Sequence, residues 1–182
     1  AQIGGGRTDM DIMPEFRDHN FHKKGALAAP RRNDDVNPQK KSDGSQFFVV
    51  HGKVHTEGRM DTLEMAVNVP IKNKIIKDHY SPYRDQLEQL KATDARAFNT
   101  LLDSVLNVVD SLYEVAPGKF FFPEDIRKAY TTVGGSRHLD GEYTVFGEVI
   151  EGLNVIDKIA NLEIDANERP TTDAKIIRIY TE

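Results

Sequence analysis

The period of the apolar residues changes twice along this chain, and no other feature constrains the fold as much. From Ala1 to about Lys53, short apolar runs stand between turn formers: Gly25-Ala-Leu-Ala-Ala29 and Gln46-Phe-Phe-Val-Val50 read as buried strands. From about Val54 to Thr132 the apolar residues recur at three- and four-residue steps, the signature of helices. Strand signals then return in Tyr143-Thr-Val-Phe-Gly-Glu-Val-Ile150 and Ala174-Lys-Ile-Ile-Arg-Ile-Tyr180. A β domain built from residues 1–53 and 133–182 and carrying a helical insertion at 54–132 satisfies this order, because a long surface insertion adds little loop-closure entropy.

Within the helical stretch, Ser81-Pro82 forms an N-cap and first-turn proline ahead of Tyr83, Leu87 and Leu90. Thr93 is the expected cap of a further helix whose stripe is Phe98, Leu101, Leu102, Val105, Val108, Val109 and Leu112, ended by Pro117-Gly118. Pro70 is expected to break an earlier helix, and Pro123 to Tyr130 to form a shorter one. Beyond the turn Asp140-Gly141, Leu153 to Ile159 reads as a short helix. Asn33 to Gly44 is a long polar loop, and Gly4-Gly5-Gly6 a flexible turn that lacks the lysine and hydroxyl of a phosphate loop.

Composition excludes several functions. A formal charge of −5 does not suit a nucleic-acid binder, and the basic pairs Arg31-Arg32 and Lys40-Lys41 are interleaved with Asp34, Asp35 and Asp43. No run approaches the roughly 18 apolar residues needed to span a bilayer. Without cysteine there is neither a disulfide framework nor thiolate chemistry. His51 and His55 lie four apart but follow a strand and have no evident third ligand, so a metal site is not expected.

Two blocks resemble one family closely. The first is Gly25-Ala-Leu-Ala-Ala-Pro-Arg31 followed, after the polar loop, by Asp43-Gly-Ser-Gln-Phe-Phe48. The second is His138-Leu-Asp-Gly-Glu-Tyr-Thr-Val-Phe-Gly-Glu-Val149, then Glu151-Gly152-Leu153 and Val155-Ile-Asp157. In this order and spacing they resemble the cyclophilin-type peptidyl-prolyl cis/trans isomerases, with the helical stretch similar to insertions in bacterial members. The resemblance implies a mainly β fold with helices, an antiparallel barrel incomplete at its N-terminus and carrying the helical insertion.

It further implies an enzyme that accelerates X-Pro rotation without a cofactor, acting on proline-containing peptides and folding proteins. The alternative is a proline-peptide binding module without fast catalysis, with the insertion as its partner-binding element. Carried over by position, Gln46 would bond the substrate backbone and Phe48 would floor the proline pocket, with Leu139 beside it and Tyr143 where many members have histidine. Ala29, Pro30 and Arg31 would form the rim strand, and His138 stands where eukaryotic members often carry a tryptophan associated with cyclosporin binding. Strand alternation then turns Phe47 into the core and Phe48 into the groove.

The family's Phe-His-Arg motif, which brings an arginine over the proline, is missing. Phe21-His22-Lys23-Lys24 is not its substitute, because it abuts Gly25 and lysine lacks the planar guanidinium fork. The expectation is a longer gene product and weak activity for this chain. A periplasmic or envelope address follows by family analogy alone, and an open barrel edge or the insertion offers a route to self-association.

Overall fold

The computed structural model describes residues 10–181 and divides into two compact units, one formed by the residues up to Thr56 and from Glu124 onward, the other by Glu57–Pro123. The glycine run at 4–6 lies outside the described residues.

In the first unit, β2 (Ala26–Ala29) is the centre of a three-stranded antiparallel sheet, flanked by β4 (Phe48–Val49) and β5 (Thr144–Glu148). Its alanines leave room for larger side chains to cover the face of the sheet, and Ala26 and Ala28 are almost fully buried. Opposed residues of an antiparallel pair share a face. Ala28 is opposite both Phe48 and Val145, and Ala26, Ala28, Val50 and Val145 form the apolar core with Phe48 packed against it. Between Leu27 and Ala28 the register slips, so that Phe146 on β5 has no opposite residue and is exposed. A separate two-stranded ladder joins β1 (Asp11–Ile12) to β3 (Ser42–Asp43).

Two helices complete this unit. The first, α4, spans Glu124–Thr132, close to the expected Pro123–Tyr130. The second, α5, spans Leu153–Ala160 and is tied back by Asp157, which meets Lys24 at 2.5 Å and His51 at 3.1 Å. After α4, Gly134 and Gly135 thread between two other backbone segments. Gly135 exchanges hydrogen bonds with Lys53 in both directions at 3.0 Å, and Ser136 N donates to His22 O at 2.8 Å. A Cβ on Gly135 would overlap the His22 carbonyl and the Tyr130 ring.

In the second unit, α1 (Glu57–Tyr80), α2 (Arg84–Thr93) and α3 (Ala95–Glu114) pack together, α3 against each of the others, and Met60, Leu87, Val105 and Val109 are buried. The stripe on α3 buries Val105 and Val109, as its period requires, while Val108 remains half exposed. Asn68, also buried, caps an irregular segment by donating to Phe120 O at 2.9 Å and accepting from Phe120 N at 2.7 Å.

Several expectations fail for physical reasons. Pro70 lies inside α1 and does not end it; α1 packs against α3, and that tertiary packing outweighs the one hydrogen bond that proline removes. Ser81 is no cap, because Tyr80 keeps helical dihedrals and the chain passes into a 3₁₀ turn at Ser81–Tyr83 without the extended conformation that a cap needs. The cap of α3 is Asp94 and not Thr93: its extended backbone lets the carboxylate accept from Arg96 N and Ala97 N, both at 3.0 Å.

The balance of structure is mixed, and the expectation of a mainly β fold is corrected. The strands run two to five residues, the helices eight to 24. Among the described residues the strands form an open three-stranded and a two-stranded sheet, with no closed barrel. Residues 174–180 have strand-like side chains but pair with nothing described, and Ile177 is 94% exposed. Side-chain pattern makes a strand only where a partner backbone completes the ladder.

Candidate active site

The expected site residues lie on the first unit. β2 leads through Pro30 to Arg31, β4 carries Phe48, and the turn preceding β5 carries His138, Leu139 and Tyr143. That turn is a short 3₁₀ segment, Arg137–Leu139, followed by Gly141 at φ +74°, with Glu142 N and Tyr143 N both donating to Leu139 O at 3.0 and 3.1 Å. The tight fold returns Tyr143 toward the sheet. Its ring meets Phe48 edge to face, with centroids 5.9 Å apart and planes at 86°, the geometry that aromatic quadrupoles favour.

Arg31 covers the other side of Tyr143, its guanidinium carbon 5.1 Å from the ring centroid. The arginine side chain is only 7% exposed, and it donates to Glu142 O and Glu142 Oε2, both at 2.6 Å, and to Asp34 Oδ1 at 2.5 Å. Burial pulls its pKa down, but hydrogen bonds and charge from Asp34 and Glu142 outweigh that and hold it above the ordinary value. Lys40, in a left-handed conformation at φ 53°, reaches Glu142 Oε1 at 2.6 Å. Lys40 first, then Arg31, keep the Glu142 carboxylate below its usual pKa. The polar loop is held to the site turn by this pair of ion pairs, and from within by Asn37, which exchanges hydrogen bonds with Lys41 at 2.8 and 3.0 Å.

The structure therefore brings Phe48, Tyr143 and Arg31 together. Gln46 lies two residues before Phe48 and is half-buried, as are Pro30 and Leu139, while His138 is exposed. Ala29 is buried and pairs with Thr144, one step along the pleat from Ala28, so its side chain and that of Phe48 fall on opposite faces. The assignment of the two phenylalanines is corrected. Phe47 is 55% exposed, and Phe48 is the one against the core, because its register partner Ala28 belongs to the buried face. At Arg31, expected on the rim strand, it is the side chain that is engaged, by Asp34 and Glu142.

Sequence reasoning missed the residues beneath this group. His22 is 1% exposed and stacks on Phe48, centroids 6.3 Å apart and planes at 14°. Its Nδ1 lies 2.9 Å from Asp140 Oδ1, and Tyr130 donates its hydroxyl to Asp140 Oδ2 at 2.6 Å. Burial, reinforced by the hydrogen bond and charge of Asp140, pushes the Tyr130 phenol far above its ordinary pKa, so it remains a donor. Asp140 was legible only as a turn residue and His22 only as part of a failed substitute for Phe-His-Arg. The one signal available was a histidine standing four residues before a buried strand.

Among the described residues, no three His, Asp or Glu side chains gather as a metal site, and no helix is long and apolar enough to cross a membrane. What remains is an aromatic pair, Phe48 and Tyr143, with the Arg31 cation fixed against it. It contains no nucleophile and suits noncovalent recognition of an apolar ring beside a peptide backbone.

Comparison with known proteins concerns the C-terminal part of the chain. Residues 129–181 match the model of the cyclophilin type peptidyl-prolyl cis-trans isomerase family, a range that takes in Asp140, Tyr143, β5 and α5. This C-terminal part of the chain is similar to the cyclophilin type. Over 61 residues the chain is 43% identical to a Staphylococcus haemolyticus protein named "Putative peptidyl-prolyl cis-trans isomerase", covering 34% of this chain and 31% of that protein. It is 33% identical over 51 residues to the human "Peptidyl-prolyl cis-trans isomerase-like 1", 28% of this chain and 31% of the relative. A Rhizopus delemar "Peptidyl-prolyl cis-trans isomerase-like 2" is 40% identical over 50 residues, 28% of this chain and 9% of the relative. The matches thus span about a third or less of the curated relatives' length.

Proposed function

We propose that the protein is a peptidyl-prolyl cis/trans isomerase acting on X-Pro bonds in peptides and folding proteins, and that residues 57–123 are a helical insertion in its cyclophilin-type domain. The observation that carries this reading is the edge-to-face pair of Phe48 and Tyr143 in a chain whose C-terminal part matches that family. The position of the helical unit in sequence, between the two blocks that resemble the family, supports the insertion.

Rotation about a peptide bond meets a barrier of about 18–20 kcal/mol, and X-Pro bonds exchange over tens to hundreds of seconds. Neither covalent attack nor a metal is needed. A protein accelerates the exchange by binding the twisted amide more tightly than either planar form. In this reading the proline ring packs on Phe48 and Tyr143, with Leu139 beside them. Gln46 hydrogen-bonds the backbone next to the rotating bond and holds one side still while the other turns. The Pro30-Arg31 segment lines the rim, and Arg31 keeps the Tyr143 ring in place from outside.

Exchange NMR on an X-Pro tetrapeptide tests it. The chain should raise the cis/trans exchange rate above that of peptide alone, and Gln46→Ala should lower the excess at least about tenfold, the effect of roughly 1.4 kcal/mol in transition-state binding. Binding without any acceleration would overturn the catalytic reading.

A further inference from the structure

We propose that His22 is a positioning residue for this site, setting the orientation of the Phe48 and Tyr143 rings through a buried link to Asp140 and Tyr130. The inference rests on the reading of those two rings as the proline-binding surface.

Three contacts close a triangle. His22 lies parallel to Phe48 at 6.3 Å, edge-on to Tyr143 at 6.5 Å, and Phe48 is edge-on to Tyr143 at 5.9 Å. Each ring therefore neighbours the other two, so a change in the tilt of one alters the packing of both. The imidazole in turn is fixed by Asp140: Oδ1 accepts from the His22 backbone N–H at 2.8 Å and faces Nδ1 at 2.9 Å. A carboxylate only accepts, so the proton stands on Nδ1. Asp140 itself is held at its second oxygen by the Tyr130 hydroxyl, 2.6 Å away.

The unusual feature is the other nitrogen. His22 Nε2 is buried and has no hydrogen-bond partner among the described residues. A buried polar atom left without a partner costs stability, and a phenylalanine would fill the same slab of space without that cost. For packing alone, histidine is the poorer residue. It combines a flat ring that stacks on Phe48 with a donor that grips a carboxylate, which no apolar side chain does. The His22 backbone is held independently through its carbonyl, which accepts from Ser136 N at 2.8 Å, so side-chain changes test the ring and not the chain path.

His22→Phe keeps a ring and removes the donor, His22→Asn keeps a donor near the Nδ1 position and removes the ring, and Tyr130→Phe frees one oxygen of Asp140 without touching the three rings. The readouts are the aromatic NMR signals of Phe48 and Tyr143 and the Kd for an X-Pro peptide. The expected result is displacement of both ring signals in His22→Phe, with about tenfold weaker peptide binding, and a smaller displacement in the same direction in Tyr130→Phe. His22→Asn should displace the ring signals but retain more thermal stability than His22→Ala. Ring signals unchanged in Tyr130→Phe and in every folded His22 variant, with only Tm lowered, would overturn the inference and leave His22 a packing residue. If the wild-type chain binds no X-Pro peptide, the site reading fails, and the ring signals still decide whether His22 positions them.

Discussion

The two units solve the same problem of burial with opposite materials. The helical unit relies on apolar side chains repeated along α3, Val105 and Val109, and on Leu87 and Met60 from the other helices, all buried, with Asn68 its buried polar residue. The sheet unit has small apolar residues at its centre, chiefly alanine and valine, and surrounds them with buried polar groups: His22, Asn37, Ser42 and Thr144. The first arrangement tolerates variation wherever volume is kept. The second depends on directional bonds and on close backbone approach, and it is the one that carries the aromatic pair. Rigid polar scaffolding beneath a small apolar face is what a recognition site needs, since the face must hold its shape without a thick core behind it.

That contrast can be broken in measurable ways. The largest effect is expected from Gly135→Val. Its Cβ would meet the His22 carbonyl and the Tyr130 ring, neither of which has room to retreat, and urea unfolding should show a loss of about 3 kcal/mol or more. A Gly135→Val variant as stable as wild type would mean that the crossing of backbones at this glycine is not tight. In the helical unit, Leu87→Ala removes a side chain that is 1% exposed, and a loss of about 2–5 kcal/mol is expected. Replacement of Leu87 by methionine should recover most of it, whereas no conservative residue at Gly135 should.

The smallest effect is electrostatic. Glu142 is held below its ordinary value of 4.5 by Lys40 and Arg31, so the stabilisation it gives is fully present above that pH and is lost as pH falls through the lowered folded-state value. The side chain is 39% exposed, and solvent screening keeps the contribution small. Glu142→Gln should flatten the acid limb of a plot of denaturation midpoint against pH and leave the neutral region little changed beyond a uniform offset. An unchanged acid limb would show that the Arg31 and Lys40 contacts do not persist in solution.

How much of this was readable in sequence follows from the same contrast. The α3 stripe, the end of that helix near Pro117-Gly118, α4, α5 and the strands at Ala26–Ala29 and Thr144–Glu148 were all legible, because each is announced by local periodicity and turn residues. The cap of α3 falls at Asp94, one residue past the expected Thr93, and Pro70 does not break a helix that packs against a neighbour. The facing of Phe47 and Phe48 was not legible, because two adjacent phenylalanines look alike and only the register with Ala28 decides which turns inward. The bond between His22 and Asp140 joins residues 118 positions apart, a distance over which a single sequence carries no pairing signal. Tyr143 and Arg31 were placed by family resemblance, yet their contact with each other, and the engagement of Arg31 by Glu142, came only from the fold.

One titration decides whether the sheet unit is the seat of function. An X-Pro tetrapeptide added to isotope-labelled protein should perturb the NMR signals of Gln46, Phe48, Leu139 and Tyr143 in a saturable way and leave those of Leu87, Val105 and Val109 unmoved. Saturable shifts confined to residues 57–123, with the aromatic pair silent, would contradict the account.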